Sequence, residues 1–593
     1  MRNSPLVILD DATPGAERLL SFSRPTEVIQ VDSPAAVAPA LARLEAALAA
    51  GRHVAGWFAY ELGYALESHL APQQWSGDGG PLLWFGVFGS PQPLGRSDLA
   101  AAGRAYAGPL RHEWDEAAYG QRFARVHDYI EAGDIYQANL SFRSRFAFAG
   151  DPLALYLRLR DRAQAAHGAF IDDGARQILS LSPELFFEIS PQGRVTARPM
   201  KGTAPRGADE LSDARSKAAL AASPKDRAEN LMIVDLVRND VGRLALIGSV
   251  AVRELFTVET YPTLHTMVST VTAQLKPATR VEQIVRALFP CGSITGAPKI
   301  RAMQIIREME QSRRGPYCGA IGYFAPDGSA KFNVAIRTIT IEQGEGTLGI
   351  GGAVVQDSSS RAEYAECLLK ARYFDVARQP IGLIETLRWT PGEGFGRLDR
   401  HLARMAHSAG AFALPFEPAQ AREALRRAVA GATAAMRVRL QLNEDGACDA
   451  SSAALPLSPG PWCFAVSPHR VDSGDLLLRH KTTWRSFFDD EQARLAKATG
   501  CDETLFVNER GELTEGSRTN IFVRRGTRLF TPPLDCGLLG RVLRAELIAQ
   551  GSCEEAVLLP DDLASADEVL LGNSLRGLIP ACPAAAARAA GMG

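Results

Sequence analysis

Several strand-like runs in this chain follow one another directly, with no helix between them, and this order restricts the fold more than any other feature. Helix patterns occur at 114–133, 152–166, 224–243, 298–313 and 359–378. Between them lie β-rich runs such as "VTARPM", "HTMVSTVTAQL", "FNVAIRTITI" and "TLGIGGAVV". A doubly wound parallel sheet would need a helix after nearly every strand. The pattern therefore predicts an α+β fold built in layers.

The chain divides near residues 376–382, where "VARQPIGLIET" follows the last of those helix patterns. A second unit begins there, with a helix pattern at 398–410 and further strands. The 593 residues are enough for several folding units with large cores. We therefore predict a first part over 1–378 and a smaller second part over 379–593.

Composition excludes several classes of function. The formal net charge is −2, and no basic cluster interleaved with aromatic residues suggests a nucleic-acid groove. The apolar run near the N-terminus is too short for a signal-peptide core, and no apolar run approaches 18 residues. The nine cysteines are scattered without CxxC or Cys/His metal spacing, which favours a reducing cytoplasm.

Lysine is rare in this chain: only nine of its 65 basic residues are lysines, and the others are arginines. Each lysine is therefore a candidate for a task that arginine cannot perform. A guanidinium stays protonated, whereas a lysine amine can lose its proton and act as a nucleophile. Lys201 in "RPMKGT" and Lys481 in "RHKTTW" are two of these nine.

Four features stand together in the first part. Glu184 lies in the strand-like "SPELFFEI", and Lys201 follows it after a short interval. Glu229 lies in the helix pattern at 224–243, and "CGSITGAPKIRAM" is a loop of small residues that leads into a helix. Backbone N–H groups in such a loop can seat a carboxylate or phosphate. In "SSSRAEYAECLLKA", Glu363, Glu366 and Lys370 share one helix face.

The wording and order of these blocks resemble the chorismate-utilising enzyme family. The matching blocks are "GDIYQANLS", "SPELFF", "RPMKGT", "AENLMIVDLVRND", "ITGAPK", "GAIGYF", "FNVAIRT" and "GIGGAVVQDSSSRAEYAECLLKA". The resemblance implies a large chorismate-binding α/β sandwich over nearly all of 1–378. It also implies a dicarboxylate substrate, chorismate, held together with Mg²⁺.

The resemblance assigns roles to individual residues. Glu184 resembles the general acid that helps to expel the C4 hydroxyl, and His265 matches a histidine near the reacting ring. Glu229 and Glu366 look like Mg²⁺ ligands, which suits a hard cation that prefers a few carboxylates and retains water. The groups that look like substrate-binding ones are the backbone of Thr295 and Gly296 and the side chains of Tyr323, Arg337 and Lys370.

Two positions indicate which reaction within the family is expected. Members that add water at C2 carry a lysine base where this chain has Gln137, and glutamine cannot act as that base. Anthranilate synthases carry a small residue where Lys201 stands, whereas aminodeoxychorismate synthases carry lysine. The resemblance thus implies that Lys201 forms a covalent adduct at C2 while the C4 hydroxyl leaves. Ammonia would then add at C4 as the lysine departs, giving 4-amino-4-deoxychorismate.

The source of ammonia is expected to lie outside this chain. Glutamine amidotransferases carry their cysteine in a G-x-C-x-G-type elbow, and none of the nine cysteines has that setting. We therefore expect a separate glutamine amidotransferase subunit as a partner, with free ammonia as a substitute in vitro.

The second part carries another ordered set of blocks. They are "LIETLRW", "RLDRHLARMAHSAGAF", "RHKTTWRSFFDD", "ETLFVNERGELTEGSRTNIFV", "TPPLDCGLLGRVLRAEL" and "LLGNSLRGLIP". This order resembles the fold-type IV pyridoxal-phosphate enzymes, which include aminotransferases and aminodeoxychorismate lyase. The resemblance implies a smaller α+β domain that binds pyridoxal 5′-phosphate, and a possible homodimer, since such enzymes are often dimers.

By that resemblance Lys481 would form the Schiff base, and Glu515 would pair with the pyridine nitrogen. The remaining cofactor contacts would come from Arg404, Thr519 and the backbone amides of Val542 and Leu543. One departure stands out, since Arg541 occupies a position that is usually glycine. The domain is also short for this fold.

The two resemblances together imply synthesis of 4-aminobenzoate, a step of folate biosynthesis. The first part would aminate chorismate, and the second would release pyruvate from the product. Three alternatives remain open at this point. In the first alternative, the second part is an amino-acid aminotransferase. In the second, it is an inactive binding module. In the third, the first part is an anthranilate synthase component.

Overall fold

The computed structural model describes residues 5–15, 17–73, 80–99, 103–261, 264–455 and 460–584. Four sheets make up its β structure. Two use strands between residues 6 and 354, and two use strands between residues 383 and 583. Helices are interspersed along both parts, so the α+β class expected from the strand order is confirmed.

The first sheet has eleven strands, all paired antiparallel. Antiparallel neighbours can be joined by tight turns, which is why these strand runs need no helix between them. The order along the main path is Gly296–Ala297, Gln137–Gly150, Glu345–Val354, Thr338–Glu342, Gln177–Ser182, His167–Asp172, Leu6–Asp11, Arg18–Ser23 and Gln92–Leu94. Ala105–Ala107 and Arg111–His112 also pair with the long strand Gln137–Gly150.

The second sheet has ten strands and is also antiparallel throughout. Its order is Met200–Pro205, Leu264–Gln274, Arg194–Ala197, Leu185–Ile189, Ala330–Val334, Ala320–Phe324, His53–Phe58, Leu83–Phe88 and Glu27–Val31. Ala251–Thr260 pairs with the outer side of Leu264–Gln274. One continuous apolar core holds side chains from both sheets and from the helices that cover them.

Periodicity predicted five helices of the first part, and these lie close to the expected positions: Glu116–Glu131, Pro152–Ala163, Pro224–Gly242, Lys299–Met309 and Ser360–Ala377. The structure adds four that were not predicted, which are Val37–Ala49, Leu62–Leu66, Glu210–Ala222 and Val281–Leu288. Side-chain caps define several starts. The Asp115 carboxylate accepts from the Ala118 amide, and the Ser223 hydroxyl accepts from the Asp226 amide.

The second part contains a four-stranded and an eight-stranded sheet. The four-stranded order is Gly394–Phe395, Leu383–Thr390, Met436–Leu442 and Cys448–Ala454. The eight-stranded order is Leu513–Gly516, Glu503–Asn508, Trp462–Val471, Gly577–Pro583, Glu568–Asn573, Asn520–Arg525, Arg528–Thr531 and Glu554–Glu555. An extra pairing of Leu513–Gly516 with Asn520–Arg525 closes six of these strands into a ring.

The helices of the second part flank these sheets. They are Leu398–Ala411, Pro418–Ala428, Ser486–Thr499, Val542–Ala549 and Pro560–Ser565. In the described part of the chain, no helix is both long and apolar enough to cross a membrane.

The two parts share one apolar core at their junction. Tyr106, on a strand of the first sheet, is fully buried among second-part side chains such as Leu402 and Phe412. Its ring meets the Phe412 ring edge-on at a centroid distance of 5.1 Å, and its hydroxyl donates to the Phe412 carbonyl at 3.3 Å. An ion pair from Arg378 to Glu444, 2.6 Å long, lies beside it. The junction is therefore packed like a domain interior.

Replacing the Tyr106 ring tests this junction. We expect Tyr106→Ala to lower the free energy of unfolding by about 3–5 kcal/mol, because it leaves a cavity in the shared core. Tyr106→Phe keeps the ring and should cost only about 1 kcal/mol for the lost hydrogen bond. Urea unfolding of both variants measures the difference. Equal, small losses would show that the junction contributes little to stability.

Candidate functional site

The first part contains a cavity of about 370 Å³, a size typical of small-molecule sites. Its wall is built from the strand Met200–Pro205, the helices Pro224–Gly242 and Ser360–Ala377, and the strand Glu345–Val354. The charged and polar side chains that line it include Asn139, Glu184, Lys201, Lys225, Asp226, Glu229, Tyr261, Thr266, Ser293, Arg337, Glu363, Glu366, Lys370 and Tyr373.

Lys201 projects into this cavity from the strand Met200–Pro205. The next residue, Gly202, has φ +86°, and a Cβ there would lie 2.9 Å from the Asp226 side chain. Glycine therefore lets the strand bend close to the helix that carries Glu229. Within the described residues, the Lys201 amine has no hydrogen-bond or ion-pair partner. Burial lowers its pKa, as does the charge of Lys370, against the opposing effect of Glu229.

Glu184 lines the same cavity, beside the loop that begins at Cys291. Only 4% of the residue is exposed, and its Oε1 atom has no partner among the described groups. Burial raises its pKa to about 7, although the Ser293 hydroxyl and the Lys201 charge act in the opposite direction. A carboxyl group with that pKa can hold a proton near neutral pH and donate it.

One face of the helix Ser360–Ala377 supplies the charged wall. Glu363, Glu366, Lys370 and Tyr373 follow at spacings of three, four and three residues, so all four point into the cavity. The Lys370 amine lies 2.9 Å from Glu366 Oε1 and donates to the Gly351 carbonyl at 2.9 Å. This pairing fixes the carboxylate of Glu366 in place.

Glu229 and Glu366 are the pair expected to hold a magnesium ion. Burial raises the pKa of Glu229, and the Glu366 charge raises it further, against Lys201 and Lys225. Among the described residues, no group of three or more His, Cys, Asp or Glu side chains could hold a metal ion. Two carboxylates on one cavity wall nevertheless suit Mg²⁺, which retains water and shares substrate oxygens.

Arg337 and Tyr373 form a candidate anion seat in the same cavity. Burial lowers the pKa of Arg337, and the described residues offer its guanidinium no ion-pair partner. The buried Tyr373 hydroxyl likewise has no hydrogen-bond partner there. An unpaired guanidinium beside a free hydroxyl is suited to a carboxylate of the ligand.

The structure does not bring four predicted residues to this wall, which corrects their expected placement. His265 lies on the strand Leu264–Gln274 between Leu264 and Thr266, which do face the cavity. Successive side chains of a strand point to opposite faces. The His265 ring therefore points away, where its Nε2 meets Asp213 at 3.0 Å and its Nδ1 meets Thr260 at 3.1 Å.

Tyr323 lines a different cavity, together with Asp10 and Lys331, and its ring packs 5.8 Å from Phe22. Thr295 turns its hydroxyl inward to the Cys291 and Gly292 carbonyls, at 3.0 and 3.2 Å. Gly296 pairs with the strand that carries Ala138. In the loop that begins at Cys291, Ser293 and Ile294 line the cavity instead. Both lie in a 3₁₀ turn, Gly292–Ile294.

Sequence reasoning missed several cavity residues. Tyr373 could have been found, because it continues the helix face of Glu366 and Lys370 by one more turn. Thr266 could have been found by the alternation of its strand. Ser293 lies in the loop of small residues that the sequence analysis marked as a possible anion seat. Asn139 and Tyr261 come from separate parts of the chain, and no local signal marks them.

The second part contains a cavity of about 330 Å³. Most of its wall comes from the segment 470–488 and from residues around Glu515. Its charged and hydrogen-bonding side chains are Arg104, Arg470, Asp472, Asp475, His480, Lys481, Thr482, Trp484, Arg485, Glu515, Ser517 and Arg541.

Lys481 is the amine of this second cavity. Its Nζ donates to the Thr386 hydroxyl at 3.0 Å. Burial lowers its pKa to about 7, helped by the charges of Arg404, Arg541 and Arg485 and opposed by Glu385. A lysine with that pKa is largely uncharged at mildly alkaline pH, as condensation with an aldehyde requires.

Glu515 is held by a neighbour that the sequence had marked as a departure. The Arg541 Nη2 atom lies 2.9 Å from Glu515 Oε2, and both side chains are buried. The Leu539 amide donates to the other carboxylate oxygen at 3.1 Å. Burial raises the pKa of Glu515, and the charge of Arg541 offsets this only in part. The carboxylate expected to face a pyridine nitrogen is thus already paired.

The other predicted cofactor residues lie outside this wall. Arg404 forms two bonds to Glu385, at 2.8 and 2.6 Å, and one of 3.5 Å to the Gly540 carbonyl. The Thr519 hydroxyl donates to Glu503 at 2.9 Å. Val542 and Leu543 are buried at the start of their helix. Arg404 and the turn at Gly540 adjoin each other, as a phosphate seat requires, although Glu385 neutralises the arginine.

In the second cavity Lys481 fits an aldehyde cofactor, whereas the contact expected from Glu515 differs from expectation. The buried Lys481 amine of lowered pKa suits pyridoxal phosphate. Glu515, in contrast, shares its carboxylate with Arg541, which restricts the contact expected with the ring nitrogen.

Comparison with known families finds two matches along the chain. Residues 95–375 match the family described as chorismate binding enzyme, and residues 382–582 match the family described as amino-transferase class IV. The second of these families implies pyridoxal phosphate as a cofactor.

Individual relatives cover parts of the chain. Aminodeoxychorismate synthase component 1 of Klebsiella aerogenes is 49% identical over 250 residues, which are 42% of this chain and 55% of that protein. The chain thus spans about half the length of this curated relative. A candidate amino-acid aminotransferase from Mesorhizobium loti is 45% identical, with a TM-score of 0.33, and covers 34% of this chain and 99% of its own.

A candidate isochorismate synthase specific for 2,3-dihydroxybenzoate, from Bacillus anthracis, shares the fold of the first part. Its structure is 20% identical with a TM-score of 0.52, over 64% of this chain and 96% of its own.

The raised pKa of Glu184 predicts a measurable pH dependence of stability. Because the folded pKa of about 7 exceeds the usual glutamate value of 4.5, folding takes up a proton in this range. The contribution is complete below about pH 4.5 and is lost as the pH rises through 7. The free energy of unfolding should therefore fall as the pH rises through this range. We expect Glu184→Gln to remove up to about 3 kcal/mol of that fall.

Denaturant unfolding at pH 5, 6 and 7 gives the measurement. Glu188→Gln is the matched control, since Glu188 follows on the adjoining strand but is exposed. Parallel pH profiles for wild type and Glu184→Gln would show that Glu184 ionises freely in the folded protein.

Proposed function

We propose that this chain, which joins a domain of the chorismate binding enzyme family to a domain of the class IV amino-transferase family, converts chorismate into 4-aminobenzoate. Each of the two cavities would perform one step. The observation that carries the proposal is the half-buried Lys201 amine in the first cavity, whose pKa is lowered and which has no partner among the described residues. Such an amine is suited to attack carbon rather than to pair with a carboxylate.

In the first cavity Lys201 attacks C2 of chorismate, and the double bond shifts as the C4 hydroxyl leaves. Glu184, whose pKa of about 7 keeps it partly protonated, gives that hydroxyl a proton so that water departs. Ammonia then adds at C4, and the bond from C2 to Lys201 breaks. The product is 4-amino-4-deoxychorismate, and the amine of Lys201 is restored.

The remaining groups of this cavity bind and orient the dicarboxylate. Arg337 and Tyr373 would hold one carboxylate. Glu229 and Glu366 would hold Mg²⁺, which supplies positive charge to the other. Lys370 keeps Glu366 oriented through its 2.9 Å contact.

In the second cavity the chain would remove pyruvate from 4-amino-4-deoxychorismate. Bound pyridoxal phosphate supplies an electron sink. Lys481 would hold this cofactor and move a proton at its own amine, which its pKa of about 7 permits. Glu515 would accept from the ring nitrogen in place of a donor of Arg541, and Arg404 with the turn at Gly540 would face the phosphate.

Several further expectations belong to this proposal. A separate glutamine amidotransferase subunit would supply ammonia to the first cavity. A homodimer through the second part, a cytoplasmic location and a division between residues 378 and 379 remain predictions from the sequence.

The second candidate is that the second part binds ligands without lyase activity. The Arg541–Glu515 ion pair favours it, because this pair occupies the carboxylate that the cofactor ring would need. Absence of absorbance near 400–430 nm after addition of pyridoxal phosphate would support this candidate. Release of pyruvate that is lost in Lys481→Ala would exclude it. An amino-acid aminotransferase would instead exchange amino groups with 2-oxo acids and release no pyruvate.

Two lysine variants should separate the two steps. Wild type with chorismate, ammonium salt, Mg²⁺ and pyridoxal phosphate should form 4-aminobenzoate. We expect Lys201→Ala to lower formation of 4-amino-4-deoxychorismate by at least about 1,000-fold, because the nucleophile is removed. Lys481→Ala should accumulate that compound and release no pyruvate. Chromatography of the products measures both.

Lys217→Ala and Lys497→Ala are the controls, since both lysines are exposed on helices of the respective parts. Both should retain wild-type activity. Formation of anthranilate alone, with Lys201→Ala fully active, would overturn the assignment of the first part.

The carboxylate pair predicts a specific metal dependence. We expect Glu229→Gln to raise the half-saturating Mg²⁺ concentration of the first step by about tenfold or more, because one anionic ligand is lost. Glu254→Gln, a change on a strand that does not line the cavity, should leave it unaltered. Magnesium titrations of the amination rate provide the measurement. An unchanged requirement would exclude Glu229 as a ligand.

A further inference from the structure

The second cavity is completed by a residue from the first part. Arg104 and Gly103 lie on its wall, although the rest of the wall begins more than 360 positions later in the chain. The Arg104 Nη1 atom donates to the Trp484 carbonyl at 3.1 Å, and Nη2 donates to the Ser486 hydroxyl at 2.7 Å. The Arg104 guanidinium therefore crosses the junction between the two parts and contacts the segment that follows Lys481.

The backbone beside Arg104 is held firmly. Ala105 is fully buried and begins the strand Ala105–Ala107, which pairs with the residues Phe148–Gly150. Tyr106 follows in the shared core, against Phe412. A side chain mounted on such a strand can be positioned precisely toward the cavity.

Arg104 has no acidic partner close enough for an ion pair in the described part of the chain, and the same holds for Arg470 on this wall. Arg485 pairs with Asp489 at 3.4 Å, and that aspartate is 60% exposed. Only Arg541 is tightly paired, with Glu515. Three guanidinium groups of this cavity thus keep donors for an anion.

Two acids line the same wall and have to be weighed against them. The Asp475 carboxylate accepts from the Leu477 amide at 2.9 Å, and the Asp472 carboxylate accepts from the Gly474 amide at 2.8 Å. Both accept these bonds within local turns, and the charge of Arg104 acts on Asp475 without forming an ion pair. The guanidinium groups of Arg104, Arg470 and Arg485 outnumber them, so the cavity favours an anionic ligand.

We propose that Arg104 binds one carboxylate of the substrate of the second cavity, so that the first part supplies a specificity-determining residue to the second. This inference rests on the proposed function, because 4-amino-4-deoxychorismate carries two carboxylates. Arginine suits such a contact, since its planar guanidinium can offer two parallel hydrogen bonds to a carboxylate. The other carboxylate then falls to Arg470 or Arg485.

A dicarboxylate is cleaved into two monocarboxylates by this reaction, pyruvate and 4-aminobenzoate. Each product can hold only one of the two anion contacts. The substrate therefore binds through both parts of the chain, and each product binds through fewer contacts and leaves more readily.

The kinetic test uses the full chain with Lys201→Ala, so that only the second step runs, supplied with 4-amino-4-deoxychorismate. Adding Arg104→Gln should raise KM by about 10- to 100-fold, because a charge-assisted hydrogen bond to the substrate is lost. The change in kcat should be much smaller. Arg104→Lys should recover part of the affinity. Arg96→Gln is the matched control on the same segment, since Arg96 lies in a surface ion pair with Asp161.

Binding tests the idea without turnover. In the chain loaded with pyridoxal phosphate, cofactor absorbance is titrated with chorismate, pyruvate and 4-aminobenzoate. Arg104→Gln should weaken chorismate and one of the two monocarboxylates by about tenfold or more, and leave the other unchanged. Unchanged affinity for all three would overturn the proposal.

Ser486→Ala separates recognition from a purely structural contact. It removes one partner of Arg104 but keeps the guanidinium, so KM should stay near that of the parent chain. A rise in KM equal to that of Arg104→Gln would show that the contact of Arg104 with Ser486 only stabilises the junction between the two parts. That result would overturn the proposal. If the parent chain itself releases no pyruvate, the proposed function of the second part fails, and the titrations still decide the role of Arg104.

Discussion

In each cavity a lysine amine lies where water cannot fully solvate its charged form, and the carboxylates around it offset that loss only in part. Burial is the largest cause of the lowered pKa of both Lys201 and Lys481. The neighbouring cations, Lys370 in one case and three arginines in the other, act in the same direction. An uncharged amine is the condition for attack on carbon, so the chemistry proposed for both parts depends on this desolvation.

The three carboxyl groups of the first cavity have different surroundings and therefore different proposed roles. Glu366 is tied to Lys370, Glu229 lies near Lys225, and Glu184 remains buried with a free oxygen atom. Two carboxylates are thereby available for a cation, and the third is kept able to carry a proton. Different surroundings give chemically identical groups different roles, as burial and neighbouring charge dictate.

The junction between the two parts affects more than stability. The strand that places Tyr106 in the shared core also places Arg104 on the wall of the second cavity. A packed junction of this kind can hold a residue of one part at a fixed distance from the chemistry of the other. The fusion of the two parts in one chain therefore has a structural consequence for recognition of the substrate.

The sequence by itself determined the α+β class, the approximate bounds of six helices and the face of Glu363, Glu366 and Lys370, because helix periodicity and direct strand succession are local properties. It also marked Lys201 and Lys481 through the scarcity of lysine. Only the tertiary structure decided which face of the strand Leu264–Gln274 meets the cavity, so that Thr266 and not His265 lies there. It likewise placed Tyr323 in another cavity, paired Arg541 with Glu515 and brought Arg104 beside Trp484, since strand pairing and junction packing join residues whose proximity no local pattern records.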